Sequence, residues 1–359
     1  MTKVLMKGNE AVGAAAIKAG CKYFFGYPIT PQSEIPEYLS RELPKIDGCF
    51  LQAESEVAAI NMLYGASGAG ARVMTSSSSP GISLKQEGIS YMAGAELPCL
   101  VVNMMRGGPG LGSIQPSQTD YFQSTRGGGN GDYRTIVLAP STVQEMVDLV
   151  ILGFDLADKY RNPVVLMGDG VLGQMMEPVE FKESGVENIP DKPWAATGQG
   201  TRKERNIINS IYLSPEEMEE HSLDLMAKYK KIEENEVRVE EIGLDKDLDL
   251  LFSAYGTSAR VCKTAMTMLE EKGYKVGIIR PITCWPFPYD SYKKIPESCK
   301  DILVVEMNHG QMTDDVKIGT QGRQNIHFFC RLGGMIPSAE EVYEAALKIL
   351  EERKWKNRF

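Results

Sequence analysis

The sequence predicts an α/β protein: a doubly wound parallel sheet followed by a second, smaller α/β domain. Three observations carry this expectation. Short apolar runs alternate with helix-period segments through the first half of the chain, the pattern of a parallel sheet with helices on its faces. Between residues 195 and 247 the rhythm gives way to a charged stretch, and from 248 it resumes to the end. The length of 359 residues leaves room for two domains of ordinary size. The expected division is 1–194, a connection at 195–247, and 248–359.

Residues 8–19 read as a helix closed by Gly20, and the apolar run 23–25 as a strand. The strand leads into Gly26-Tyr27-Pro28-Ile29-Thr30-Pro31, where two prolines bracket one hydroxyl. Each proline fixes its own φ and drives the residue before it, Tyr27 or Thr30, toward extended geometry. Thr30 then suits the N-cap of a helix running from Pro31 to about residue 43. A turn at the carboxyl end of a parallel strand is where ligands bind such sheets. The residues alone allow a plain capped turn equally well.

A short strand at 49–52 runs into a helix at 56–66, whose small residues Ala58, Ala59, Gly65 and Ala66 suit close packing. Strands follow at 72–75, 100–104, 135–138 and 164–167, with helices at 82–91 and 143–159 between them. In the connection, 215–236 reads as a helix with Glu216, Glu217 and Glu219 in its first turn, favourable at the positive end of a helix dipole. Its charge reads as a solvated face. The second domain continues with an apolar run at 248–255, a helix at 257–272, strands at 275–280, 302–306 and 326–329, and a helix at 339–353, together a smaller parallel sheet.

The net charge of −9 gives no general attraction for nucleic acid or anionic membranes. No apolar run has the length of a membrane span, and the first residues lack the pattern of a signal peptide. The expectation is a cytoplasmic protein. Its seven cysteines form no Cys-x-x-Cys pair, which argues against a zinc site or an iron–sulfur cluster held by local ligands. They read as reduced thiols.

Four further features could carry chemistry. In Gln52-Ala53-Glu54-Ser55-Glu56 a strand again enters a helix; Ser55 can cap it, and Glu56 falls in the first turn, either as a favourable helix charge or as a positioned acid/base group. In Thr75-Ser76-Ser77-Ser78-Ser79-Pro80-Gly81 hydroxyls end a strand before a helix opens, to meet a polar ligand or to satisfy their own backbone. Arg106 ends an apolar strand and is followed by Gly107-Gly108-Pro109-Gly110-Leu111-Gly112. A guanidinium there suits a carboxylate or phosphate, the alternative being a structural ion pair. The glycine-rich stretch Arg126–Asp132 is a flexible lid or a plain loop, and it lacks the spacing of a phosphate-binding or dinucleotide motif. Gly168-Asp169-Gly170 suggests a metal–diphosphate signature, but 194–199 supply no asparagine, so no metal ligand is assigned.

Taken in order, these segments resemble the alpha-type, pyrimidine-domain subunit of 2-oxoacid:ferredoxin oxidoreductases. The matching pieces are Tyr-Pro-Ile-Thr-Pro at 27–31, Glu-Ser-Glu at 54–56, Ser-Ser-Pro-Gly at 78–81 and Arg-Gly-Gly-Pro at 106–109. Arg-Pro-Ile-Thr-Cys-Trp-Pro-Phe-Pro at 280–288 and Val-Glu-Met-Asn-His-Gly-Gln-Met at 305–312 resemble the transketolase C-terminal-like domain of the same enzymes. The resemblance implies a thiamine diphosphate pyrimidine-binding domain in the first half. It implies oxidative decarboxylation of a 2-oxoacid, with transfer of the acyl group to coenzyme A and of electrons to ferredoxin. Thiamine diphosphate would be shared with a beta-type partner that binds the diphosphate and Mg2+. Iron–sulfur clusters would reside on ferredoxin-like and gamma-type subunits.

The same resemblance assigns roles. Glu56, rather than its neighbour Glu54, would hydrogen-bond the aminopyrimidine ring nitrogen. Pro28, Ile29 and Thr30 would line the cofactor, Thr30 would also bond a substrate oxygen, and Arg106 would hold the substrate carboxylate. Gly110-Leu111-Gly112 and Asn-Ile-Ile-Asn-Ser at 206–210 look like the branched-chain (2-oxoisovalerate) type. The alternatives are 2-oxoglutarate or pyruvate as substrate, a transketolase-like carboligase, or a non-catalytic assembly subunit.

Overall fold

The computed structural model describes residues 3–181, 189–245 and 247–356. The chain opens with strand β1 (Val4–Lys7), helix α1 (Gly8–Lys18), β2 (Tyr23–Gly26), α2 (Glu34–Glu42), β3 (Cys49–Gln52) and α3 (Glu56–Gly68). It continues through β4 (Val73–Ser77), α4 (Ser79–Gly94), β5 (Cys99–Met105), α5 (Tyr121–Thr125), β6 (Ile136–Leu138), α6 (Val143–Tyr160), β7 (Pro163–Asp169), α7 (Gly170–Gln174) and β8 (Met176–Val179). After these come α8 (Pro215–Asn235), β9 (Val239–Ile242), β10 (Leu250–Ser253), α9 (Gly256–Glu271), β11 (Val276–Pro281) and β12 (Thr283–Trp285). The last elements are α10 (Tyr289–Lys293), β13 (Asp301–Glu306), α11 (Gln311–Thr320), β14 (Asn325–Cys330) and α12 (Ala339–Lys356).

The first sheet has seven strands in the order β12-β6-β7-β5-β4-β2-β3. All run parallel except the edge strand β12, which pairs antiparallel with β6. β5 and β7 are buried along their whole length, as central strands of a sheet covered on both faces must be. One helical layer joins α1, α2 and α6, and α3 packs on α4 in the other. Hydroxyls cap the starts of α3 and α6. Ser55 accepts from Ala58 N at 3.1 Å, and Thr142 accepts from Glu145 N at 3.1 Å. A small antiparallel pair, β1 with β8, lies outside the sequence expectation.

The second sheet has the order β14-β13-β10-β11-β9. Four strands are parallel, and the edge strand β9 is antiparallel to β11, so the expected all-parallel sheet is a mixed one. Sheet membership also crosses the expected divisions. The connection contributes β9 to the second sheet, and the C-terminal half contributes β12 to the first. Arg280 between them is buried and bonds Glu240 at 2.5 Å and Glu145 at 2.6 Å.

Gln118 binds the halves together a second time. Its side chain accepts from Ser258 Oγ at 2.8 Å and Met307 N at 3.0 Å, and donates to the Tyr255 carbonyl at 2.9 Å. The segment 305–312 therefore serves as an interdomain clamp. Glu306 holds the start of α11 through Met312 N and Thr313 N, and Asn308 Nδ2 donates to the Gln118 carbonyl at 2.8 Å. Among the described residues, no helix is long and apolar enough to cross a membrane. All seven cysteines are free thiols, five of them buried.

Candidate active site

From β2 the chain adds β3 on one side and then β4 on the other, so the order of the sheet reverses between β2 and β4. Such a reversal opens a crevice at the carboxyl ends of the strands. Here β2 and β4 pair only at Tyr23↔Val73 and Phe24↔Met74, and beyond that they part. Side chains bridge the opening. Thr75 Oγ1 donates to the Phe25 carbonyl at 2.6 Å, and Ser76 Oγ donates to Gln32 Oε1 at 2.5 Å. Gln32 Nε2 in turn donates to the Tyr27 carbonyl at 3.3 Å.

The turn after β2 does not form the expected cap. Thr30 is not an N-cap and Pro31 is not the first helical residue; the helix begins at Glu34. The reason is non-local. The Thr30 carbonyl accepts from Arg106 Nη1 at 3.0 Å, and the Pro31 carbonyl accepts from Asn9 Nδ2 at 2.8 Å. Side chains from other elements thus hold 27–33 out of the helix. Asn9 and Gln174 also donate to Glu34 at 2.7 and 2.9 Å; burial alone would raise the Glu34 pKa, but these bonds leave it below the usual carboxylate value. Pro28 and Thr30 are exposed and Ile29 half-buried, so the turn offers a firm outer wall.

Glu56 and Glu54 separate clearly. Glu54 is exposed, while Glu56 is 7% exposed and its carboxylate is hydrogen-bonded to none of the described residues. The Glu56 side chain lies across Gly81 of α4. A Cβ on Gly81 would stand 2.7 Å from Glu56 Oε1 and 2.1 Å from Ser77 Oγ, so carboxylate and hydroxyl are neighbours over a glycine that leaves them room. The Ser77 and Ser78 hydroxyls are buried without partners.

Arg106 lies at the end of β5 and is buried. It makes no ion pair among the described residues; Nη1 donates to the Thr30 carbonyl and Nη2 to the Leu111 carbonyl at 3.1 Å. Its Nε is buried without a partner. Two of the five guanidinium N–H groups are thus committed, and the rest remain for an anion. The Arg106 backbone is clamped by Ser79 Oγ, which also donates to Asp120 at 2.6 Å. Burial raises the Asp120 pKa, while bonds from Ser79 and Asn103 hold it down.

Thr30 and Arg106 are therefore in direct contact through the backbone of the turn. Glu56 reaches the start of α4 at Gly81, two residues from Ser79, whose hydroxyl bonds the Arg106 backbone. Of the serine run, Ser76 and Ser79 bond to other elements and not to their own turn. Gln32, Lys85 and Asp120 were outside the sequence reading; buried polar residues within helices and loops carry no periodic signal that marks them.

The Arg126–Asp132 loop is tied to α4: Ser90 Oγ donates to the Asn130 carbonyl at 2.6 Å, and the Gly128 and Gly129 amides donate to Tyr133 OH, which itself donates to Gln86 Oε1 of α4 at 3.1 Å. Asp169 caps α7, accepting from Val171 N at 2.9 Å and Leu172 N at 3.2 Å. A cavity of about 1170 Å³ lies elsewhere, between Trp285–Tyr289 and the end of α8.

Comparison with known proteins gives concordant matches. Residues 14–241 match the family described as pyruvate flavodoxin/ferredoxin oxidoreductase, thiamine diphosphate-binding, and 249–342 match pyruvate:ferredoxin oxidoreductase core domain II. The chain is 50% identical to ketoisovalerate oxidoreductase subunit VorB of Methanothermobacter thermautotrophicus, over 96% of this chain and 97% of that one. It is 38% identical to 2-oxoglutarate synthase subunit KorA of Methanocaldococcus jannaschii, over 95% and 98%. Among solved structures, 2-oxoglutarate:ferredoxin oxidoreductase from Magnetococcus marinus, with 2-oxoglutarate, coenzyme A and succinyl-CoA bound, superposes with a TM-score of 0.86 at 29% identity. That match covers 97% of this chain and 65% of the longer one. A split-gene transketolase shares the fold alone, with a TM-score of 0.61 at 13% identity.

Proposed function

This chain belongs to the 2-oxoacid:ferredoxin oxidoreductase family as an alpha-type subunit, and from that premise we propose that it supplies the pyrimidine-binding half of a thiamine diphosphate site that oxidatively decarboxylates 3-methyl-2-oxobutanoate. The carrying observation is the convergence of Thr30, Glu56 and Arg106 at the point where the strand order reverses. The residues fit the cofactor. A buried carboxylate free of hydrogen bonds, a glycine without a side chain beside it, and the unpartnered Ser77 and Ser78 hydroxyls form a polar cradle at the strand ends.

When bound, thiamine diphosphate supplies the carbanion chemistry of decarboxylation. Glu56 holds a proton at the aminopyrimidine ring nitrogen. Arg106, with Nε and two further N–H groups uncommitted, grips the substrate carboxylate until carbon dioxide leaves. Thr30, on a turn held by Arg106, Asn9 and Gln174, orients a substrate oxygen, and Pro28 and Ile29 flank it. The exposed Leu111 and Ile114, on the loop whose carbonyl anchors Arg106, offer an apolar rim suited to a branched aliphatic side chain.

The diphosphate and Mg2+ belong to a beta-type partner, and Asp169 on this chain caps α7 through one carboxylate oxygen. Electrons pass through iron–sulfur clusters on ferredoxin-like and gamma-type partners to ferredoxin, and coenzyme A takes the acyl group. A crevice completed by another subunit is a surface on one chain. The free thiols suit the reducing cytoplasm. The KorA relatives favour a second reading, with 2-oxoglutarate as substrate.

The test is Glu56→Gln in the assembled complex, with viologen reduction measured on 3-methyl-2-oxobutanoate, 2-oxoglutarate and pyruvate. The expected result is highest kcat/KM on the branched acid in the wild type and near-complete loss in the variant with assembly intact. Normal turnover by the variant removes Glu56 from its role.

A further inference from the structure

Around the Glu56 carboxylate, one charged group has no part in the chemistry so far described. Lys85 lies one helical turn beyond Gly81 on α4, so it shares the helix face that the Glu56 side chain crosses. It is fully buried. Its ammonium donates to Thr75 Oγ1 at 2.5 Å and to the Ser76 carbonyl at 3.3 Å. The titratable groups facing it are Glu56 from α3 and Cys99 from β5, while β4 presents only neutral oxygens. Burial brings its pKa down from 10.5 to about 7, and Glu56 is the foremost group opposing that fall. An isolated buried ammonium is costly, and an apolar side chain of the same volume is the cheaper filling.

We propose that Lys85 is a positioning residue for Glu56: its ammonium, pinned to the end of β4, holds the carboxylate in one orientation toward the ring nitrogen it serves. The proposal rests on the reading of Glu56 given above. The two are separated by an experiment that needs no catalysis.

A double-mutant cycle of K85M and E56Q, read as thermal midpoints of the full chain at about pH 6, reports the pair directly. K85M removes the desolvation cost in both backgrounds but loses the attraction to Glu56 only where Glu56 is present. Its midpoint is therefore raised more in the E56Q background, by about 2–4 °C. The unfolded chain binds this proton more tightly than the folded chain. Wild-type stability therefore gains on K85M as pH rises from about 7 to about 10. In the assembled complex, K85M lowers kcat about tenfold at about pH 6 with KM for the 2-oxoacid unchanged. The deficit closes at higher pH as the wild-type ammonium itself is lost. Additive midpoints, or a kcat deficit that is constant across pH, overturn the proposal. Normal turnover by E56Q with a non-additive cycle removes the catalytic reading of Glu56 and upholds the pair.

Discussion

Gly81→Ala isolates the geometry of the proposed site from its chemistry. The added Cβ would stand 2.1 Å from Ser77 Oγ and 2.7 Å from Glu56 Oε1, against a comfortable separation of about 3.5 Å. The obstacles are both ends of side chains, so the backbone of α4 survives and the carboxylate is displaced by about 1 Å. A misplacement of that size costs about 100-fold in rate. Overpacking costs about 1–3 kcal/mol, and the higher helix propensity of alanine returns about 1 kcal/mol, so stability falls by about 0–2 kcal/mol. Gly88→Ala is the control, because its Cβ would stand 2.5 Å from both Cγ atoms of Ile60 on the same helix pair. A β-branched side chain cannot swing aside cheaply, so this variant sits at the upper end of the overpacking cost and, after the same return from alanine, loses about 2 kcal/mol of stability and keeps its kcat. The assay is viologen reduction by the assembled complex, with kcat and KM separated, beside thermal midpoints of both variants. Wild-type kcat in Gly81→Ala at full occupancy refutes the placement of Glu56 over this glycine.

Arg106→Ala removes the proposed carboxylate grip and both carbonyl tethers, to Thr30 and Leu111, and lowers kcat/KM by about 100- to 1000-fold. Steady-state kinetics of the complex check it, and an unchanged kcat/KM assigns Arg106 to structure alone. Gln118→Ala leaves the Ser258 hydroxyl, the Met307 N–H and the Tyr255 carbonyl without their partner between the domains, costing about 3 kcal/mol or more. Chemical denaturation reads that loss, and a shift below about 1 kcal/mol contradicts the clamp.

What could be read from the sequence follows from how local each interaction is. Ser55 before Glu56 signalled a helix start because the cap and the amide it accepts from are three residues apart, and the structure places the bond there. The apolar runs of β4, β5 and β7 were legible because both faces of those strands are buried. The start of α2 was not, because Asn9, Arg106 and Gln174 decide it from distant elements. β12 and β9 escaped for the same reason: three or four residues at a sheet edge have meaning only beside β6 and β11. Lys85 lay outside the sequence reading, because nothing within its neighbouring residues indicates that Thr75 receives it. At the site, the sequence motifs marked the positions of Thr30, Glu56, Arg106 and the serine run, while the buried polar frame of Gln32, Lys85 and Asp120 had to be seen in space.

The edge strand Thr283–Trp285 bears on how the chain is made. Three strands of the second sheet leave the ribosome before the strand that completes the first. Until then β6 has one side of its backbone unpaired, an edge of the kind that recruits neighbouring chains. Vectorial synthesis therefore cannot release a finished N-terminal domain and then add another. The protein matures all at once, late in its own translation, and its partner subunits meet either the whole of it or an intermediate with an open seam.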